Sequence, residues 1–267
     1  VAPNPPGGAT DVLSRLLAPH LQQRLGVPVN VENKGGASTN IGTEFVVRSA
    51  PDGCTMLLGN ISMALNKGLF NSMKFDVEQD LRAVIQVAAV PIALFVNPQV
   101  PAKTMGEFVQ FAKAQKGRLS FSSAGIGTPT HLIVEMINQQ FGTDIIHVPY
   151  KGAGPATADV ISGQVQSSSD SLLVVVPFIK QGQLRALGVT GKGRSPVLPD
   201  LPTFSEQGFG QADLTLWYGV MVPAKTPREL VTRLNGEIGA ILAQPDVRQR
   251  LTELGSDDVR GTLEAFQ

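Results

Sequence analysis

The sequence predicts an α/β architecture of two doubly wound domains, and three observations carry that prediction. Short apolar strands alternate with amphipathic helices along most of the 267 residues, which is the pattern of βαβ units. Two glycine-rich turns, Pro5-Pro6-Gly7-Gly8-Ala9-Thr10-Asp11 and Gly35-Gly36-Ala37-Ser38-Thr39-Asn40-Ile41-Gly42, each lead straight into a helical apolar pattern. The run Val100-Pro101-Ala102-Lys103-Thr104 recurs letter for letter as Val222-Pro223-Ala224-Lys225-Thr226, each copy following an apolar strand.

Taken in order, Leu13, Leu16, Leu17, Leu21 and Leu25 recur at helical spacing between Asp11 and Gly26. Pro19 lies inside that stretch and is expected to bend the helix or shift its start. Val27 to Val31 reads as a short strand and Ile41 to Ala50 as a second helix, ended by Pro51-Asp52-Gly53. Cys54 to Gly59 reads as a buried strand, so the first stretch implies a parallel sheet. A second series follows: helices at 104–115, 130–141, 155–162 and 172–181, with strands at 92–96, 119–123, 145–148, 165–169 and 184–189. After a loop containing Pro196, Pro199 and Pro202 come a strand at 217–222, a helix from Pro227 to Leu242, and a short helix ending at Gly255. Both copies of the repeated pentapeptide end in Thr-x-x-Glu, so Glu107 and Glu229 each complete a capping box. The repeat is either a coincidence between two similar strand-to-helix turns or the mark of two crossings between domains.

Hydrophobic residues make up 42% and charged residues 16% of the chain, against roughly 25% charged in ordinary soluble domains. Lys plus Arg and Asp plus Glu number 22 each. No stretch is markedly basic, which argues against nucleic acid and against an anionic membrane surface. The single cysteine, Cys54, excludes an intramolecular disulfide framework and a multi-cysteine metal site. No apolar run approaches the roughly 20 residues of a membrane span. The opening at Val1-Ala2-Pro3 reads as mid-strand, as in a trimmed or mature chain.

Helix starts carry unpaired N–H groups and partial positive charge, and glycine lets an anion approach the bare main chain. Gly7, Gly8, Thr10 and Asp11 in the first turn, and Ala37, Ser38, Thr39 and Asn40 in the second, are therefore candidate carboxylate or phosphate contacts. Neither turn holds arginine or lysine, so amides, hydroxyls and bridging water would do the holding. Ser122-Ser123-Ala124-Gly125-Ile126-Gly127-Thr128 repeats this logic ahead of a helix near His131, adding Ser123, Gly127, Thr128 and His131. Asn60, Ser62 and Asp170 fall at strand ends, where open α/β sheets bind ligands; their alternative role is helix capping. Tyr150 either walls a cleft or packs beneath it. Ser123, His131 and Asp170 form a nucleophilic triad on paper, but the G-x-S-x-G elbow is missing. The histidines His20, His131 and His147 show no metal spacing. Gly125-Ile126-Gly127-Thr128-Pro129-Thr130 departs from the dinucleotide fingerprint at its third glycine, and no P-loop motif occurs.

Read together, Pro6-Gly7-Gly8-Ala9-Thr10-Asp11, Val31-Glu32-Asn33-Lys34-Gly35-Gly36-Ala37, Asn40-Ile41-Gly42, Pro51-Asp52-Gly53, His147-Val148-Pro149-Tyr150-Lys151-Gly152 and Leu201-Pro202-Thr203 resemble the tripartite tricarboxylate transporter substrate-binding family, the Bug or TctC-like receptors. Ser123 to Thr128 with His131-Leu132, and Trp217-Tyr218-Gly219, extend the likeness nearly end to end. The resemblance implies a periplasmic, two-domain Venus-flytrap receptor of type II-like architecture with two crossover hinge strands. It would close on a small organic acid and present it to membrane permease subunits. It also implies ligand contacts from the loops at Gly7–Asp11 and Ala37–Asn40, and from the opposite domain at Ser123–His131 and the end of strand 165–169. Two departures stand out: Cys54 replaces a common aromatic, and Ser38-Thr39 replaces a more glycine-rich pair.

The expectation is thus a monomeric, non-enzymatic carboxylate receptor without cofactor or metal. Its first domain would comprise residues 1–98 and 222–267 and its second 99–221. The rivals are an acyl- or phosphoryl-transfer enzyme using Ser123 and His131, and a sensory receptor feeding a kinase.

Overall fold

Ala2 forms an isolated parallel bridge with Asn33. Its N–H donates to the Glu32 carbonyl at 2.9 Å and its carbonyl accepts from Lys34 N–H at 2.9 Å, while the preceding carbonyl, of Val1, accepts from Leu58 N–H at 3.0 Å. The protonated amine of Val1 donates to the Met56 carbonyl at 2.6 Å. The computed structural model describes residues 1–70, 73–210 and 214–256. The expected first-domain stretch 257–267 lies outside the described residues.

The chain divides into two compact units. The first comprises Val1–Ala89 and Trp217–Thr252, the second Val90–Leu216 and Glu253–Ser256. Their boundaries fall inside strands, at 89/90 and 216/217, whereas the sequence places the crossings at 98/99 and 221/222.

In the first unit, α1 (Ala9–Leu25) is followed by a tight turn at Ala37–Thr39, α2 (Asn40–Val47), β1 (Leu57–Asn60), α3 (Ser62–Leu69) and the single turn α4 (Val77–Asp80). α1 runs through Pro19 and ends at Gly26 in the left-handed conformation (φ 69°), as a C-terminal glycine allows. β2 (Leu81–Val96) begins here, and β1 pairs antiparallel with a late strand, β7 (Thr215–Pro223), in the order β1-β7-β2. The expected all-parallel sheet is therefore corrected, because β7 comes from the far end of the chain and lies between β1 and β2. The expected strand Val27–Val31 forms no ladder. Pro28 has no N–H to give, and the pairing shifts to residues 32–34. Val46, Leu57, Met63, Leu81 and Met221 form one core cluster of the unit, each such side chain gaining about 1.5–3 kcal/mol on full burial.

In the second unit, β2 continues past Pro91 and is joined by α5 (Met105–Gln115), β3 (Ser120–Ser123), α6 (Pro129–Phe141), β4 (Ile146–Pro149), α7 (Ala153–Ile161), β5 (Ser167–Ser171), α8 (Leu172–Lys180) and β6 (Arg185–Val189). β3 pairs parallel with β4 and β5. β2 pairs antiparallel with β5 and β6, with a register shift at Leu94/Phe95 against β6. Phe95, Phe108, Phe121 and Ile133 are fully buried across this sheet. The parallel trio aligns the carboxyl ends of β3, β4 and β5, and it is there that Ser123, Pro149 and Ser171 end their strands.

The two capping boxes differ. Thr104 Oγ1 accepts from Glu107 N–H at 3.1 Å, and Glu107 Oε2 accepts from Lys103 N–H at 2.6 Å. α9 (Arg228–Leu242) instead has Pro227 as its N-cap with no side-chain cap, and Thr226 Oγ1 is buried without a partner. The second box is corrected: helical geometry starts two residues beyond the threonine, out of its reach. α10 (Pro245–Glu253) follows.

Candidate functional site

In the first unit Asp11 is an internal anchor. Its carboxylate accepts from Gly7 N–H at 3.0 Å, Arg15 Nε at 2.9 Å and Asn33 Nδ2 at 3.0 Å. Burial pushes its carboxyl up, but these hydrogen bonds outweigh burial and hold it below its ordinary range. Gly7 takes φ 83° to make the turn, yet its amide is spent on Asp11. Gly8 N–H donates to the Pro5 carbonyl at 3.3 Å and Thr10 Oγ1 to Asn4 Oδ1 at 3.0 Å. Asn33, which sequence reasoning did not single out, also donates to the Asn4 carbonyl at 3.0 Å, so the turn is braced from the neighbouring segment.

The second turn is strained. Ala37, Ser38 and Thr39 take φ of 47°, 50° and 79° in succession. Left-handed backbone costs an L-residue roughly 1–2 kcal/mol, most of all a β-branched one such as Thr39. Two of these residues are the Ser38-Thr39 pair standing where the family resemblance leads one to expect glycine. Asn66 on α3, fully buried, holds them in place. Its Nδ2 donates to the Ser38 carbonyl at 2.6 Å and to Asn40 Oδ1 at 2.8 Å. Thr43 Oγ1 donates to the Thr39 carbonyl at 3.0 Å. Two buried atoms of this cluster have no partner, Thr39 Oγ1 and Asn66 Oδ1, and such orphans are uncommon enough to need a reason. Asn60 Oδ1 accepts from Ser62 N–H at 3.0 Å, closing the β1–α3 turn beside them in sequence. Asn66 was missed because nothing about a lone asparagine inside a helix marks it as a brace for a loop twenty-six residues earlier.

In the second unit the loop from β3 to α6 is knit internally. Ser123 is fully buried; its hydroxyl contacts the Gly125 carbonyl at 3.2 Å and His147 Nε2 at 2.6 Å. Thr128 caps α6 and donates to the Gly125 carbonyl at 2.7 Å, while Thr130 Oγ1 accepts from Ala124 N–H at 3.1 Å. Gly127 takes φ 77° and its amide donates to His131 Nδ1 at 3.1 Å. The His131 ring stacks on His147, with centroids 4.0 Å apart. Burial, aided by the neighbouring His131 ring, pushes His147 down to about 4. Tyr150, placed by its N–H on the Ser123 carbonyl, turns its hydroxyl to Asp159. Burial, together with that carboxylate, pushes the phenol up to about 12.

Asp170 is buried on β5 opposite Ala93. Burial pushes its carboxyl up to about 7, against the opposing hydrogen bond from Ser171 N–H at 2.7 Å. Ser171, not Asp170, caps α8 by accepting from Leu173 N–H at 3.3 Å. The imidazole against Ser123 is His147, and the carboxylate near His131 is Glu135, at 3.4 Å from Nε2.

His131, Glu135 and His147 bring ligand-type atoms within 4.8 Å of one another. The hydrogen bonding opposes a metal there. Nδ1 of His131 accepts an amide proton, so the neutral ring carries its own proton on Nε2, the atom that faces Glu135. A metal on Nε2 would force the proton to Nδ1, against the Gly127 N–H.

The structure thus brings Gly7, Gly8, Thr10 and Asp11 into one turn, Ala37 to Asn40 into a second, and Ser123, Gly127, Thr128 and His131 into a third, while Asp170 is buried within the second unit's sheet. Cavities of about 740 and 520 Å3 in the first unit and about 610 Å3 in the second are lined by none of these residues.

Residues 13–265 match the family described as the tripartite tricarboxylate transporter family receptor, TctC. The protein BugT of Bordetella pertussis is 35% identical over 264 residues, covering 98% of this chain and 81% of BugT. A solved Rhodopseudomonas palustris protein with adipate is 31% identical with a TM-score of 0.94, covering 99% of this chain and 90% of that one. MatC of the same organism, solved with bound malate, is 31% identical with a TM-score of 0.90, covering 96% and 88%. The fold is therefore that of an α/β periplasmic binding protein. The chain belongs to the TctC/Bug family of tripartite tricarboxylate transporter receptors, which are periplasmic solute-binding proteins and not enzymes.

Proposed function

We propose that this chain captures a small organic carboxylate in the periplasm and delivers it, as a monomer, to the membrane permease subunits of a tripartite tricarboxylate-type transporter. The observation that carries the reading is that two relatives of the same fold were solved holding adipate and malate. The chemistry of the loops supports it. The strained turn at Ala37–Asn40 keeps a buried hydroxyl without a partner, and neither it nor the turn at Ser123–His131 contains a carboxylate that would repel an anion. In this reading Gly7, Gly8, Thr10 and Asp11 shape the first seat, Ala37 to Asn40 with Asn60 and Ser62 form it, Ser123, Gly127, Thr128 and His131 form the second unit's contribution, and Asp170 stiffens the strand beneath.

A thermal-shift screen over mono-, di- and tricarboxylates, amino acids and aromatic acids tests it. A ligand present at a hundred times its Kd adds about 2.7 kcal/mol to the folded state, and the melting temperature rises accordingly. Stabilisation by phosphate or a nucleotide with no response to any carboxylate would overturn the reading.

A further inference from the structure

We infer that His131 is a pH-sensitive latch on the turn ahead of α6: in the neutral ring Nδ1 ties down the Gly127 N–H, and a proton taken up at Nδ1 releases that amide and the Ile126–Gly127 segment with it. The latch acts in the protein without ligand, so the carboxylate reading stands or falls apart from it.

The turn is tied at its ends by hydroxyls and at its middle by the ring. Ser123 Oγ accepts from Gly125 N–H at 3.1 Å, and Thr128 Oγ1 donates to the Gly125 carbonyl at 2.7 Å; a change of pH alters neither bond. Gly127 has no side chain to hold it, and its amide donates to Nδ1 of His131 at 3.1 Å. That nitrogen accepts only while its lone pair is free; protonated, it is itself a donor. Two donors do not keep a 3.1 Å contact, so either the ring or the turn must move.

The ring is the better held of the two. It stacks on His147 with centroids 4.0 Å apart, and its Nε2 faces Glu135 at 3.4 Å, a carboxylate that a charged ring attracts more strongly. The turn has glycine on each side of Ile126, at φ 143° and 77°, and Ile126 is 60% exposed, so this segment swings at little steric cost. Of the strands packed against α6, β3 has no titratable side chain, β4 brings His147 and β5 brings Asp170. Burial, with the neighbouring ring, pushes His147 down to about 4, so it stays uncharged in mild acid and the stack survives there. Burial pushes Asp170 up to about 7, and the variants below separate its titration from that of the ring.

Solution NMR of the whole chain from about pH 8 to about pH 5 tests this, reading the imidazole nitrogens of His131 together with the hydrogen exchange of the Gly127 amide. The amide should lose about tenfold of its protection as the ring gains its proton. His131→Asn puts Oδ1, an acceptor at every pH, where Nδ1 stands, and should keep the amide protected throughout. His131→Ala should leave it unprotected throughout. If Gly127 keeps its protection after the ring is charged, or loses it on acidification in His131→Asn as it does in the parent, His131 is no latch. Protection in His131→Ala equal to that of the parent in neutral solution would show that something other than the ring holds the amide, and would overturn the assignment equally.

Discussion

The Ser123 hydroxyl lies 2.6 Å from Nε2 of His147, whose ring stacks on that of His131. Its consequence is on stability. His147 is pushed down to about 4 from an ordinary 6.5, chiefly by burial. Between those values the unfolded chain binds a proton that the folded chain refuses, so stability falls as pH drops from about 6.5 to 4 and falls no further through this group below 4. His147→Gln removes the titration. Denaturant unfolding between pH 4 and 7 should show a smaller loss on acidification for the variant than for the parent; equal slopes would show that the imidazole titrates normally.

Asp170 works in the opposite direction. Its carboxyl is pushed up to about 7 from 3.8, so between those values the folded chain holds a proton that the unfolded chain gives up. Stability from this group is full below about 3.8 and is lost as pH rises towards 7. Asp170→Asn, neutral at every pH, should match the parent near pH 4 and exceed it at pH 8, where the parent buries a charge. A variant less stable than the parent at pH 8 would mean that the ionised carboxylate is needed there. Because the two groups slope against each other, the parent's own pH profile understates both.

Much of the second unit was legible because local chemistry and global packing agree there. Thr104 with Glu107 marks a helix start that the structure keeps, the helix read from 130 begins one residue earlier at Pro129, and the strand read at 119–123 is found at Ser120–Ser123. The Thr226–Glu229 echo misled because Pro227 sits where the cap would be, and sequence spacing does not fix which residue first turns helical. β2 was read only from Ile92 because Pro91 interrupts the pattern, although the strand runs from Leu81 on both sides of it. At the candidate site, the glycine turns were visible but their internal partners were not. Asp11 with Asn33, and Asn40 with Asn66, are tertiary pairings between segments, and no local rule predicts which polar side chains a fold will consume.

Asn66 carries the strain of the second turn. Replacing it by alanine leaves the Ser38 carbonyl and Asn40 Oδ1 without their donor, and the left-handed run at Ala37–Thr39 loses its tie. The expected cost is about 1–3 kcal/mol, read as a lower denaturation midpoint with an unchanged m-value. Proteolysis should also cut within residues 36–41 more readily than in the parent, since a released turn opens locally before the unit unfolds. An unchanged midpoint would show that the turn's backbone conformation is held by something other than this asparagine.

Glycine at position 42 separates packing from propensity. Gly42 lies within α2, and a Cβ there would stand 2.8 Å from the Lys34 carbonyl oxygen and 2.8 Å from Pro3 Cα. Both obstacles are backbone, so neither can swing aside as a side chain would. Helix propensity alone would have Gly42→Ala stabilise by up to about 1 kcal/mol, whereas overpacking costs about 1–3 kcal/mol. Gly236 in α9 is the control: a Cβ there meets nothing within 4 Å, so Gly236→Ala should raise stability by up to about 1 kcal/mol. Opposite signs for the two substitutions in denaturant unfolding are the expected result. Gly42→Ala should also weaken carboxylate binding, because pushing residues 3 and 34 away moves the segments that flank the Ala37–Asn40 turn. A stabilising Gly42→Ala would mean that α2 slides away from Lys34 and Pro3 at no cost, and the seat built on that contact would then be looser than its hydrogen bonds imply.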